Sequence, residues 1–171
     1  MEKPSARYRA LQHIPFLKSH GHIPEALMIP RYAWSRALLF KKLQEYDIVF
    51  LQKKLLNTIE LKLLKSCSRH LVYDFDDAVM FRDSMSKKYY LSKSRQIKFS
   101  KTVETADLVI AGNKYLQDFA ININPNTYII PTPIDTNRYT VRPEHHSSEH
   151  IIIGWIGSTS TLYYLERMKH V

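Results

Sequence analysis

Cysteine is nearly absent: Cys67 is alone in 171 residues. A single thiol excludes an internal disulfide and a zinc site built from several thiolates, leaving a packed thiol on a helical stretch. Long apolar runs are missing too. No stretch approaches the roughly 18 uninterrupted apolar residues of a membrane-spanning helix, so the chain reads as soluble. The N-terminus has no basic segment followed by an apolar core, which argues against a secretory leader and for the cytoplasm. Zinc-finger spacing, a basic region with heptads and an aromatic RNP-like strand are all lacking, so nucleic acid is not an expected partner.

What is present is a globular composition, 44% hydrophobic and 12% aromatic. The length suits one α/β domain with a real core, or one domain and part of another. Twenty-five Lys and Arg against 16 Asp and Glu give a formal charge of +9. Such a field suits phosphates or peripheral contact with an anionic membrane, here the inner membrane face. The cations are dispersed, densest at Lys53-Lys54, Lys87-Lys88 and residues 93–101, and solvated helix faces account for most of them.

Strands alternate with helices along the chain. Ser5 is placed to cap a helix carrying Tyr8, Leu11, Ile14 and Leu17, kinked at Pro15 and closed by Gly21. Residues 22–29 read as a short edge strand despite Pro24, and residues 33–45 as a helix. Residues 46–51 are a clear strand. The stripe Leu55, Leu56, Ile59, Leu63 and Leu64 is a helix facing the core. Part of the stretch 80–105 must be helical, because structureless loops of that length are uncommon. Strand 107–111, a helix opened by Gly112-Asn113, and strand 128–130 follow. This alternation implies crossovers and a Rossmann-like, mostly parallel sheet flanked by helices. Residues 1–131 form that domain, 132–150 a linker, and 151–171 the first strand and helix of another.

The chemistry concentrates at one strand end. The run 70–73 is apolar and β-branched, and Asp74, Asp76 and Asp77 follow within four residues. Ligands of open α/β sheets bind beyond the carboxyl ends of strands, where carboxylates handle protons, sugar hydroxyls or metals. The competing reading makes Asp76 or Asp77 a cap and the others solvated. Gln52, Lys53 and Lys54 end the preceding strand on the same edge. Arg7 and Arg9 lie in the first turn of the first helix, against the helix dipole, as candidate anion ligands. Asn113 is an N-cap by position and also faces this edge. Gly157, Ser158 and Thr159 form a glycine-and-hydroxyl helix start that can hold a phosphate. His145, His146 and His150 have no carboxylate or cysteine in ligand register, so no metal site is expected.

Six segments together resemble the retaining family-4 glycosyltransferases of GT-B architecture: SARYR at 5–9, YDIVFLQK at 46–53, VYDFDDA at 72–78, ADLVIAGN at 106–113, IPTPIDTNRY at 130–139 and IGWIGS at 153–158. The resemblance implies transfer of a sugar from a nucleotide-sugar donor, a co-substrate rather than a cofactor, to a glycan or lipid-linked acceptor. It places Asp76 and Asp77 at the acceptor side of the cleft as catalytic carboxylates. Arg7, Arg9, Lys53, Asp74 and Asn113 would be substrate-binding, and Gly157, Ser158 and Thr159 would lie near the donor diphosphate. Members often carry a histidine at the position of Asp76. The family's opening strand would precede Pro4 and its paired-glutamate donor motif would lie beyond Val171, so this stretch alone is expected to be a fragment without turnover.

Two alternatives stand beside it. YDFDDAV at 73–79 looks like the Asp-x-Asp strand of haloacid dehalogenase phosphatases, with Asp74 as nucleophile, Asp76 as acid/base and magnesium between them. Against it, Asp77-Ala78 replaces the usual Gly-Thr, and two strands precede the motif. The other alternative is a non-catalytic module binding a glycan or an anionic surface.

Overall fold

The computed structural model describes residues 4–82, 90–137, 154–157 and 162–168. Two compact units result, Met1–Ile134 and Asp135–Val171. In the second, the described residues comprise a turn in which Asn137 N donates to Asp135 Oδ1 at 3.0 Å, an irregular stretch at 154–157 and helix α7, Leu162–Arg167. Of the strand expected at 151–156, residues 151–153 lie outside the described residues and 154–156 are irregular.

The first unit carries a four-stranded sheet in sequence order, β1 Ile48–Gln52, β2 His70–Phe75, β3 Leu108–Ala111 and β4 Thr127–Ile129, every pair parallel. Three crossover helices link them: α4 Thr58–Ser66, α5 Lys93–Thr105 and α6 Lys114–Ala120. Before the sheet come α1 Pro4–Arg9, α2 Ile14–Ser19 and α3 Ala33–Lys42. The mixed α/β fold with a parallel sheet is as expected. Among the described residues no helix is long and apolar enough to cross a membrane.

Right-handed crossovers between strands taken in order bring α4, α5 and α6 to one face. Burial agrees. Val49, Leu51, Leu71, Tyr73, Phe75, Val109 and Ala111 form one core with Leu61, Leu64, Phe99, Val103, Leu116 and Ala120 of those helices. Phe75 and Phe99 pack edge to face, ring centroids 5.1 Å apart. The opposite face is covered only in part: Ile48, Phe50 and Tyr128 are exposed, and Val72, Leu108 and Ile110 half-buried.

Local signals explain the helix ends. Asn57 accepts from Glu60 N at 2.9 Å while Glu60 reaches back to Asn57 N, a capping box that starts α4. Gly21 takes φ +81 after α2, as expected of a closing glycine. Three expectations are corrected. The single helix expected from Ser5 to Gly21, kinked at Pro15, is instead α1, a tight turn at Leu11–His13 and α2, with Pro15 in the first turn of α2. Residues 22–30 are extended but pair with no strand among the described residues, Pro24 and Pro30 having no amide hydrogen to give a ladder. Ser5 lies inside α1 rather than capping it.

Two buried polar groups predict opposite outcomes. Asn124 donates to Val103 O at 3.0 Å and Ala106 O at 2.7 Å and accepts from Asn126 N, stitching the end of α5 to the entry of β4. The Tyr73 hydroxyl is fully buried without a hydrogen-bond partner among the described residues, and burial pushes its pKa far up, so it stays a neutral phenol. In urea unfolding, Asn124→Ala should lose about 2–3 kcal/mol, whereas Tyr73→Phe should be neutral or gain about 1 kcal/mol.

Candidate functional site

The carboxyl ends of the four strands are crossed by α1. Gln52 Nε2, ending β1, donates to Ser5 O at 2.9 Å. Arg9 Nε donates to both carboxylate oxygens of Asp74 at 3.0 Å, and Nη2 to Oδ1 at 2.5 Å. Arg9 Nη1 donates to Ile130 O at 2.9 Å and Thr132 Oγ1 at 3.1 Å, just beyond β4. Gln12 Nε2 reaches Pro133 O at 3.1 Å. One short helix thus ties β1, β2 and the segment after β4 together.

The strand expected at 70–73 continues to Phe75, because Asp74 pairs in register with Gln52 and Ile110. Asp74 is therefore a strand residue, 1% exposed, with Arg9 as its counterion. Hydrogen bonds donated to Asp74 hold the Arg9 guanidinium above its ordinary pKa against the opposing cost of burial. Arg9 and Asp74 satisfy one another inside the protein. Arg7 is exposed, its guanidinium 4.5 Å from the ring centre of Tyr8 and bonded to that hydroxyl, apart from the acidic cluster.

Beyond the pair lies a second, more accessible set. Lys53 adopts φ +56, a left-handed conformation that L-residues with a Cβ rarely take. Its amide donates to Asp74 O at 2.8 Å. The turn brings Nζ to Ser5 Oγ at 3.0 Å, to Asp77 Oδ2 in a short ion pair, and to within 3.1 Å of Asp76 Oδ1. Burial lowers the pKa of Lys53, but the hydrogen bond to Asp77 and the charges of Asp76 and Asp77 outweigh it, so the ammonium is held above its ordinary value. Asp77 is largely exposed. Asp76 differs from both neighbours. Its Oδ1 is buried, and although Lys53 is close, no described residue makes a hydrogen bond to it.

Gly112 makes this approach possible. A Cβ there would stand 3.0 Å from Asp76 Cα and 3.2 Å from Asp76 Cβ, tighter than real contacts allow without movement. Its amide donates to Phe75 O at 2.9 Å, holding the end of β3 against the turn that carries Asp76. Asn113 caps α6, its side chain accepting from Leu116 N at 2.9 Å, which fulfils the capping reading. Of the expected phosphate residues, Gly157 is exposed in the irregular stretch, and Ser158 and Thr159 lie outside the described residues. Arg9, Lys53, Asp74, Asp76 and Asp77 are brought together. Sequence reasoning missed Gly112 and Thr132 as parts of the site. A glycine directly after an apolar strand is a recognisable sign of close backbone approach, but nothing flagged Thr132.

Among the described residues no group of three or more His, Cys, Asp or Glu could hold a metal ion. The set can balance charge and accept a hydroxyl hydrogen; it has one carboxylate with open acceptor capacity beside one cation.

Removing Arg9 alone leaves a buried, unpaired carboxylate. Arg9→Met should cost about 3–5 kcal/mol by urea denaturation, and adding Asp74→Leu should recover most of it. Gly112→Ala should cost about 1–3 kcal/mol, because the neighbour it meets is backbone.

Comparison of the chain with protein-family models, with curated proteins and with solved structures gives no match.

Proposed function

We propose that this chain is the acceptor-side part of a sugar-transferring enzyme, moving a sugar from a nucleotide-sugar donor to a glycan or lipid-linked acceptor in the manner of the retaining GT-B glycosyltransferases. The observation that carries the reading is Asp76: a partly exposed carboxylate at the carboxyl edge of a parallel sheet, whose buried Oδ1 faces Lys53 but accepts no hydrogen bond from the described residues. Sugars present hydroxyl donors, and a fixed carboxylate is the group that orients them and can take a proton as one attacks. Lys53, 3.1 Å away, balances the added negative charge. Ser5 and Asp77, both bound to Lys53, keep that ammonium in place.

The phosphatase alternative is less well supported. It needs Asp74 free to attack phosphorus, yet both Asp74 oxygens are held by Arg9 at a position 1% exposed.

The test is saturation-transfer NMR of the whole chain against a panel of glycosides, including lipid-linked ones. Binding should be seen for at least one acceptor class and should weaken by about tenfold or more in Asp76→Ala, the loss expected when a charged hydrogen-bond acceptor is removed. Melting temperature should not move. No binding across the panel, or binding indifferent to Asp76, overturns the proposal.

A further inference from the structure

We propose that the outer face of α3, with the extended segment 22–30 laid along it, docks on an anionic lipid bilayer. On an α-helix, residues three, four and seven apart share a face. Trp34, Leu38 and Lys41 follow that spacing, Arg31 lies just before the helix begins, and all four are exposed, Trp34 at 68% and Leu38 at 61%. Phe40, on the opposite side, is buried in the core. The helix therefore has a second apolar stripe, turned to solvent and flanked by cations. Tyr32 is exposed beside it, its ring stacked with Trp34 at 6.5 Å between centroids.

The extended segment widens this face. Tyr46 and Lys42 hold Glu25 near the carboxyl end of α3, the lysine at 3.4 Å, while Arg36 Nη1 donates to Pro30 O at 3.1 Å nearer its start. Residues 22–30 thus run along α3 in the opposite direction. Ile23 and Met28 project from them, each 92% exposed.

Charge selects the occupant. Residues 14–42 hold five Lys or Arg and one carboxylate, Glu25, which is already bonded to Tyr46 and Lys42. Arg31 and Lys41 have no carboxylate partner among the described residues. Two copies of such a face repel each other, which disfavours a symmetric dimer. Ile23, Met28, Trp34 and Leu38 each stand more than half exposed. Aromatic rings and aliphatic side chains interspersed with cations are what the boundary between acyl chains and anionic headgroups accommodates.

This docking does not rest on the sugar-transfer reading. Its bearing on a lipid-borne acceptor does.

The test is co-sedimentation of the whole chain with vesicles of phosphatidylcholine alone and with about a third phosphatidylglycerol, in roughly 0.1 M salt. Binding should be confined to the anionic vesicles. It should weaken by about tenfold or more in Trp34→Ser/Leu38→Ser and likewise in Arg31→Glu/Lys41→Glu. Tyr115→Ser, which removes an exposed aromatic on α6, should leave binding unchanged, and all four proteins should melt alike. The proposal is overturned if anionic vesicles are not bound, or if both double variants bind as well as the parent, which would assign binding to overall charge. It is also overturned if only the charge reversal matters, or if light scattering reveals a dimer that Trp34→Ser/Leu38→Ser dissociates. No sugar enters the assay, so its failure and that of the transferase reading are separate results.

Discussion

The buried pair between Arg9 and Asp74 is the constraint from which the rest of the sheet edge follows. Two opposite charges withdrawn from water must recover several kcal/mol of lost hydration each, and they do so only when nearly every polar atom is matched. Here the guanidinium spends Nε and Nη2 on the carboxylate and Nη1 on Ile130 O and Thr132 Oγ1. Such a pair contributes less to stability than to uniqueness. The planar fork meets its partners in one orientation, so α1 has one position across the strand ends. A helix of six residues is too short to hold itself together by backbone bonds, which makes that anchoring the reason it stands there.

With α1 fixed, Ser5 is fixed, and with it the position of Lys53. The left-handed backbone at Lys53 costs on the order of 1–2 kcal/mol for a residue with a Cβ. It persists because the Lys53 amide bonds to Asp74 O while its ammonium meets Ser5, Asp76 and Asp77. Strained backbone held by surrounding contacts is a common property of sites that bind or react. The division of labour among three aspartates close in sequence follows from strand geometry. Asp74 faces α1 from within the strand, whereas Asp76 and Asp77 lie past its end, where the sheet no longer covers them.

Much of this was legible in the residues. The apolar runs of all four strands and the caps at Asn113 and Gly21 obey local rules, and each is where those rules put it. The meeting of Lys53 and the aspartates at one edge was legible too, because parallel strands end on the same side. What could not be read was which charges would pair with which. Arg9 and Asp74 are 65 residues apart, and their contact depends on a crossing that no local pattern encodes. The same limit hid Thr132 and the left-handed turn at Lys53, a residue type that argues against such a turn. Residues 22–30 misled for a different reason. Their short apolar run suits a strand, but pairing requires a neighbour, and the segment is held instead by Glu25 and by its carbonyl at Pro30.

Two apolar surfaces remain exposed on the first unit, and their chemistry separates them. The open sheet face, with Ile48, Phe50 and Tyr128, is a layer formed by strands that are apolar on both sides, as parallel strands are when each face is to be covered by packed structure. The outer face of α3 is different, since its exposed apolar residues, Trp34 and Leu38, are flanked by Lys41 and by Arg31 just before the helix. A packing layer excludes charge; a headgroup region attracts it. The chain leaves α3 through a short turn into β1, so α3 runs against that strand, and its first residues lie toward the carboxyl edge of the sheet. The ion pair between Arg36 and Glu60, at the start of α4, marks the same end. Tyr32 and Trp34 are thus nearer than the rest of α3 to the edge that carries Asp76. If the bilayer is met there, an acceptor carried on a lipid reaches the carboxylate without leaving the membrane surface, and diffusion is confined to two dimensions. On the two proposals together, the basic face would hold the surface and the acidic edge the hydroxyl presented from it.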